Sequence, residues 1–167
     1  DKSLAVENAQ ALAEGGIQWL TVHARTKLEG YKPPAWWSWI NTIRMKVKIP
    51  VLANGEIWTP QQAHQCQHES GSDLLMIGRG LVATPDLGLR IKNPDHTPMT
   101  LQQNLALLKT LAQSLPDLTD KQLTDRLKQW LHYYSMHSAE MQNVFDRVKK
   151  ERSREGFFAV LQSPIPF

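Results

Sequence analysis

Two short runs of small and polar residues follow apolar segments of this chain, and together they could hold an anion. Asn54-Gly55-Glu56 follows the apolar residues 51–53, and Gly78-Arg79-Gly80 follows residues 74–77. Glycine lets a ligand approach the backbone closely, and Arg79 can bind a phosphate through two parallel hydrogen bonds. Because consecutive parallel strands end at the same edge of a sheet, we predict one phosphate site formed by both runs.

A histidine ends the predicted strand before these two. His23 follows residues 19–22, and a histidine at the C-terminal end of a barrel strand faces the ligand side. It could equally be a core histidine bonded to the backbone, and both interpretations stay open. Either glycine-containing run alone is also what a tight turn between a strand and a helix requires. Together, at consecutive strand ends, the two runs favour the phosphate site.

The elements that must position these residues alternate between helix and strand in residues 1–93, which predicts a parallel α/β architecture. We predict helices over 4–14 and 36–46 and further helices starting near 60 and 80. The predicted strands cover 19–23, 51–53 and 74–77. Thr59, Pro60 and Gln62 have the order of a capped helix start with a capping box.

Residues 94–167 carry no strand signal and are predicted to form a small antiparallel helical bundle. Prolines at 94 and 98 mark the linker. Two capping boxes, Thr100 with Gln103 and Thr119 with Gln122, predict helix starts, and further helices are expected over 139–152 and 153–161. Leucines recur on one face of each of the first two helices, as a shared core requires.

The composition limits the class of protein. The chain has 167 residues, whereas a complete (β/α)₈ barrel needs roughly 250. No apolar run approaches the ~20 residues that span a bilayer, so we expect no membrane contact. The single cysteine, Cys66, excludes an internal disulfide and favours a reducing, cytoplasmic location. The chain begins without Met inside a predicted helix, and we interpret it as a piece of a longer protein.

Other candidate residues have plainer explanations. Cys66 lies in the middle of a predicted helix, where we expect buried packing. His64 and His68 have a metal-compatible spacing without a third ligand, so a solvated helix face is expected and no metal site is predicted. The tryptophans at 36, 37 and 39 are expected to pack a helix onto the sheet, with base stacking as the alternative.

The C-terminal part is basic, with eight Lys and Arg against four Asp and Glu over residues 121–154. Such a surface suits a polyanion, although a solvated helical surface explains it about as well. Arg126 and Tyr133 nearly align on one helix, whereas Lys128 lies about 200° round from Arg126. A polyanion that contacts all three must therefore wrap the helix or enter a groove.

These runs, in this order and spacing, resemble the tRNA-dihydrouridine synthases. The resemblance is carried by residues 23–27 with 30–31, then 49–57, then 76–80, and it extends through essentially the whole chain. Residues 126–131, Arg-Leu-Lys-Gln-Trp-Leu, resemble the C-type (position-sixteen) subfamily.

The resemblance implies the last three strands of an FMN-binding (β/α)₈ barrel over residues 1–93 and a helical tRNA-binding domain over 94–167. It implies that NADPH reduces FMN, which then reduces a uridine of the tRNA D-loop, U16 in this subfamily. The partners would be FMN and tRNA, not DNA. The family's FMN-binding positions correspond to Asn54, Gly55, Glu56, Gly78 and Arg79, with His23 near the flavin. Its tRNA-contacting positions correspond to Tyr31, Arg126, Lys128, Tyr133 and Lys149. Lys149 stands where an arginine is usual, which keeps the charge and loses the bidentate fork.

One departure from the family pattern is large. The family's catalytic cysteine lies in an Asn-x-Gly-Cys-Pro-Ser sequence, which is absent here, and Cys66 does not match it. We therefore expect about half of an enzyme, inactive alone, with open sheet edges through which it could self-associate. Two alternatives stay open: a non-catalytic tRNA-binding fragment, and a phosphate-binding barrel isomerase or lyase. The second does not explain the basic helical part.

Overall fold

A computed structural model describes residues 2–162 of the chain. Its contacts define two compact units. The first contains the residues up to Gly80 together with Ile91–Pro94, and the second contains Leu81–Arg90 and the residues from Asp95 onward. The sequence-based division at residues 93 and 94 differs at two places, because Leu81–Arg90 cluster with the second unit and Pro94 clusters with the first.

The first unit alternates helix and strand in the predicted order. Its elements are α1 (Ala5–Glu14), β1 (Leu20–His23), α2 (Trp37–Arg44), β2 (Val51–Asn54), α3 (Pro60–Ser70) and β3 (Leu75–Met76). A 3-10 turn over Lys2–Leu4 precedes α1. The three strands form a parallel sheet in the order β1-β2-β3. His23 pairs with Asn54, and Asn54 pairs with Met76, so the C-terminal ends of all three strands lie side by side.

Two strands are shorter than predicted. Trp19 lies outside β1 and is 59% exposed. In β3 only Leu75 and Met76 pair with β2, so Leu74 and Ile77 lie outside the ladder. Both strands pair only with β2 in the described sheet, and Trp19 and Ile77 lie beyond the two ends of β2.

The start of α3 follows the predicted capping chemistry in part. The Thr59 hydroxyl accepts a hydrogen bond from the Gln62 N–H at 3.1 Å, with Pro60 in the first turn. The reciprocal bond of a capping box is absent, because the Gln62 amide oxygen accepts instead from the N–H of Trp58 at 2.9 Å. The helix start therefore holds the loop that carries Trp58.

The buried core of the first unit lies between the sheet and its helices. It includes Ile40, Ala53, Ala63 and Cys66, each with 0% exposure. The prediction that the tryptophan cluster packs inward holds for Trp37, which is buried. It is wrong for the tryptophans at 36 and 39, which are 44% and 37% exposed because α2 turns them away from the core.

The second unit contains helices and no strand within its described residues. The helices that follow the sheet are α4 (Arg79–Ala83), α5 (Leu87–Lys92), α6 (Leu101–Gln113), α7 (Asp120–Ser135), α8 (Ala139–Val148) and α9 (Arg154–Gln162). Both predicted capping boxes, at Thr100 and Thr119, are present. α8 ends at Val148, earlier than predicted. None of the helices within residues 2–162 is both long and apolar enough to cross a bilayer.

The core of the second unit is built on the leucine faces that the sequence shows. Leu108 of α6 and Leu123, Leu127 and Leu131 of α7 have 0% exposure. They pack with Val148 and with residues of α9 in one buried cluster. Burial of these faces supplies the main stabilisation, since helices of this length are marginal alone.

Two loops of the first unit meet at a glycine. A Cβ on Gly80 would lie 2.0 Å from the carbonyl oxygen of Ile57, whereas a Cβ on Gly78 would meet nothing within 4 Å. The loop after β2 thus packs directly on the backbone after β3, and only glycine fits at position 80.

We predict that Gly80→Ala destabilises the protein by about 1–3 kcal/mol, because the added methyl forces the two loops apart. Gly78→Ala is the matched control, and we expect its free energy of unfolding to stay close to the wild-type value. Chemical denaturation followed by circular dichroism measures both. Equal stabilities of the two variants would contradict the close packing at Gly80.

Candidate functional site

The ends of the three strands form the floor of a cleft of about 210 Å³. It contains most of the residues that the sequence singled out. The cleft is lined by His23, Tyr31, Asn54, Gly55, Glu56, Ile57, Trp58, Met76, Ile77, Gly78, Arg79 and Gly80. All six predicted cofactor-binding residues therefore lie around one cleft, and Tyr31, which was assigned to tRNA contact, lies there too.

Asn54 joins the ends of all three strands. Its amide oxygen lies 2.6 Å from Nδ1 of His23 on β1. Its amide nitrogen donates to the carbonyl oxygen of Met76 on β3 at 2.6 Å. Asn54 thus acts as a bridge across the sheet, beyond the backbone ladder, and fixes where the ring of His23 stands.

Gly55 is required by the tight path of the chain after β2. Its φ of 124° is one that side chains rarely adopt, and a Cβ there would lie 3.4 Å from both Ala24 and the His23 ring. Its carbonyl oxygen accepts a hydrogen bond from the indole N–H of buried Trp37 at 2.7 Å. A core side chain of α2 therefore anchors the floor of the cleft.

Glu56 is held by two neighbours rather than left free. It has a φ of 55°, in the left-handed region. One carboxylate oxygen accepts a hydrogen bond from the guanidinium of Arg25, whose side chain is fully buried. The other accepts from the indole N–H of Trp58 at 3.0 Å. Arg25 also donates from Nε to the carbonyl oxygen of Pro34 at 3.2 Å.

Opposing effects act on the pKa of the Glu56 carboxyl. Burial alone would raise the pKa, and it is the largest single contribution. The hydrogen bonds from Arg25 and Trp58, with the positive charges of Arg25 and Arg79, outweigh it, and the net pKa is lowered. Glu56 is therefore a carboxylate at neutral pH and keeps buried Arg25 neutralised.

Arg79 is positioned by two aromatic rings. The central carbon of its guanidinium lies 4.5 Å from the centre of the Tyr31 ring and 5.1 Å from that of Trp58. Cation–π contacts at these distances are favourable and do not use the N–H donors in conventional hydrogen bonds. Arg79 thus brings donors and a positive charge to the cleft. The first N–H groups of α4, which lack acceptors within the helix, add donors from residues 79 and 80.

Arrangements of this kind suit a phosphate group. A guanidinium and backbone N–H groups are the donors that proteins use for phosphate. The backbone at Gly78 is open, since a Cβ there would meet nothing within 4 Å. Glu56, by contrast, already accepts a hydrogen bond at each carboxylate oxygen. It therefore supports the cleft by holding Arg25 and Trp58 in place.

Three residues that organise the cleft were missed as site residues. Arg25, Trp58 and Trp37 hold Glu56, Arg79 and Gly55 in place. A weak signal existed for Arg25, because an arginine that becomes buried two residues beyond a strand end needs a carboxylate partner. No such signal marked Trp58, since its ring contacts depend on how two loops meet.

The predicted tRNA-contacting residues of the second unit do not lie on one surface. Arg126 and Lys128 line a shallow groove together with residues of α7 and α8 such as His132 and Phe145. Tyr133 does not line it, and its ring lies 6.0 Å from that of His132. Lys149 is engaged by Asp146 at 2.7 Å.

The remaining candidates have structural roles. Cys66 is fully buried in α3, as the sequence predicted, and burial raises the pKa of its thiol to about 12. His64 and His68 are exposed on the same helix. Within residues 2–162, no three His, Cys, Asp or Glu side chains lie close enough to hold a metal ion.

We predict that Glu56→Gln destabilises the protein by about 1–3 kcal/mol at pH 7, because it leaves the buried charge of Arg25 unpaired. The pKa of Glu56 is lowered from 4.5 on folding. The stabilisation that ionised Glu56 gives the folded protein is therefore complete above pH 4.5. It is lost as the pH falls through the lower pKa of the folded state. The difference between variant and wild type should shrink in that range. Denaturation at a series of pH values measures it.

Asp125→Asn provides the control for this experiment. Asp125 also pairs with a cation, Lys121 at 2.8 Å, but both side chains are exposed. Because an exposed pair is screened by solvent, we expect a much smaller effect on stability. An equal loss in the free energy of unfolding for the two substitutions would show that the buried Arg25–Glu56 pair stabilises the protein no more than an exposed ion pair does.

Comparisons with known proteins place the chain in a family. The family model described as "Dihydrouridine synthase (Dus)" matches residues 1–163. A tRNA-dihydrouridine(16) synthase of Pseudomonas putida is 44% identical over 152 residues, which cover 88% of this chain and 47% of that protein. One from Shewanella oneidensis is 38% identical, covering 97% of this chain and 51% of that protein.

A third relative of the same name, from Neisseria meningitidis serogroup B, is 43% identical over 155 residues, covering 89% of this chain and 46% of that protein. The chain therefore spans about half the length of the curated relatives it matches. The family match and these identities show that the chain belongs to the dihydrouridine synthase family.

Proposed function

We propose that this chain supplies the cofactor-phosphate cleft and part of the RNA-binding surface of an FMN- and NADPH-dependent enzyme. The enzyme would reduce a uridine of tRNA, U16 of the D-loop, to dihydrouridine. The observation that carries the proposal is the cleft at the three strand ends, where Arg79 stands between two aromatic rings. The names of the relatives support the choice of substrate.

The donors of the cleft fit the phosphate end of FMN. Arg79 would bind the phosphate, together with the backbone N–H groups of Gly78–Gly80. Asn54 and His23 stand at the strand ends beside this position, and Gly55 keeps the backbone between them accessible. Glu56 would support the site through its bonds to Arg25 and Trp58.

The residues of this chain bind and orient rather than react. When bound and reduced, FMN would supply a hydride to the uracil ring, and an acid must supply the proton that completes the saturation. Arg79 neutralises the phosphate charge, and the ring contacts of Arg79 fix it before the ligand arrives, which lowers the entropic cost of binding. Family members use a cysteine acid, and the buried Cys66 of α3 has neither the exposure nor the acidity for that role.

The RNA would be held mainly by charge. Arg126 and Lys128 line the groove of the second unit and would contact backbone phosphates. Tyr133 and Lys149 are proposed as further contacts, with Lys149 released from Asp146 when RNA binds. Tyr31 lies in the cleft beside Arg79 and would meet RNA there.

A second candidate, a tRNA-binding fragment without a redox role, uses the same groove and leaves the cleft without function. The burial of Arg25 against Glu56 favours the first candidate, because such a pair needs precise placement and the cleft is what it organises.

We predict that Arg79→Ala weakens FMN binding by about 1–3 kcal/mol, or roughly 5- to 150-fold in Kd, through loss of a charge-assisted contact. Lys48→Ala is the control, because Lys48 is exposed and lies before β2, at the opposite edge of the sheet. Equilibrium dialysis measures both. Equal Kd values for the two variants would contradict a phosphate site at Arg79.

We predict that Lys128→Ala weakens tRNA binding and reduces the slope of log K against log salt concentration by about one, because one phosphate contact is lost. Lys109→Ala, at an exposed position of α6, is the control and should leave the slope unchanged. Filter binding over a range of salt concentrations measures the slopes. An unchanged slope for Lys128→Ala would remove Lys128 from the contact surface.

A further inference from the structure

The hydrogen-bond partner of the Asn54 amide nitrogen determines the orientation of the Asn54 side-chain amide. The nitrogen lies 2.6 Å from the carbonyl oxygen of Met76, and a backbone carbonyl can only accept a hydrogen bond. The reversed amide would set two acceptor oxygens against each other at this distance. The NH₂ group must therefore face Met76, and the oxygen must face the other way.

The orientation of this amide in turn determines the protonation of His23. The amide oxygen of Asn54 lies 2.6 Å from Nδ1 of His23. Because an amide oxygen can only accept, Nδ1 must carry a hydrogen. In a neutral imidazole only one nitrogen carries a hydrogen, so Nε2 keeps its lone pair.

The surroundings of the His23 ring keep it in this position. His23 and Asn54 are paired residues of neighbouring strands, so the backbone register sets their separation. A Cβ on Gly55 would lie 3.4 Å from Cε1 of the His23 ring, so the ring packs closely against the backbone at Gly55. The ring of Tyr31 lies 6.4 Å away at 65°, in an edge contact. His23 itself is exposed and lines the cleft.

We propose that Asn54 is a positioning residue that holds His23 as its Nδ1–H tautomer and presents Nε2 to the cleft as a hydrogen-bond acceptor. The group of the ligand that meets His23 is then a donor, an N–H or O–H, and a carbonyl oxygen is disfavoured at that point. The inference rests on the proposed function only for the identity of the ligand, since the tautomer is a property of the free protein.

The tautomer can be measured directly by long-range ¹H–¹⁵N NMR on the chain labelled with ¹⁵N-histidine. The spectra are recorded at pH 8, where imidazole in water is neutral. The spectrum of His23→Gln identifies the His23 signals by their loss. We expect Nδ1 of His23 at the protonated position and Nε2 at the unprotonated position. Exposed His68 of α3 serves as the reference in the same spectrum, and we expect the reverse pattern there, the usual one in water.

A substitution tests whether Asn54 is the cause. Asn54→Leu has a similar volume without an acceptor, so His23 should shift to the Nε2–H form. An unchanged tautomer in Asn54→Leu would overturn the proposal.

The wild-type spectrum decides the matter even if a variant does not fold, because an Nε2–H tautomer of His23 in the wild-type protein would overturn the proposal outright. No flavin or RNA is present in the measurement. A failed tautomer prediction therefore leaves the FMN site standing, and a failure to bind FMN leaves the tautomer result intact.

Discussion

The cleft depends on one polar side chain, Asn54, which ties three parallel strand ends together. Parallel strands are joined by long connections, so nothing local keeps their ends in register once the ladder stops. Asn54 sits at the end of the central strand and bonds to His23 on one side and Met76 on the other, at 2.6 Å in each case. With this link in place, the loops after β2 and β3 leave the sheet from fixed points, and their glycines allow them to pack closely.

Around this link the cleft is organised by charge and aromatic contact. The buried guanidinium of Arg25 would be costly without a partner, and Glu56 supplies one. Glu56 also accepts from the indole of Trp58, whose ring lies against Arg79. A buried ion pair and the half-buried cation of the cleft, Arg79, are thus connected through one carboxylate. This chain of contacts explains why Glu56 tolerates a φ of 55°.

Much of the fold could be predicted from sequence because its signals are local. Thr100 and Thr119 begin helices by bonds to residues three positions away, and glycine ends α3 by adopting a φ that other residues avoid. The positions of Asn54 and Arg79 at strand ends followed from the order of the elements. The contacts within the cleft did not follow. Arg25 and Glu56 are far apart in sequence, and their pairing depends on the strand register. The exposure of Trp36 depends on how α2 is rotated, and an apolar pattern of three tryptophans does not specify that rotation.

The central claim is that the cleft at the three strand ends is a preformed site for the phosphate of FMN. The most direct test compares the binding of FMN and riboflavin to the chain by equilibrium dialysis, because the two ligands differ only in the phosphate. The account predicts that FMN binds at least about tenfold more tightly, equivalent to about 1.4 kcal/mol. Equal affinities for the two flavins, or no binding of either, would contradict a preformed phosphate site in this part of the protein.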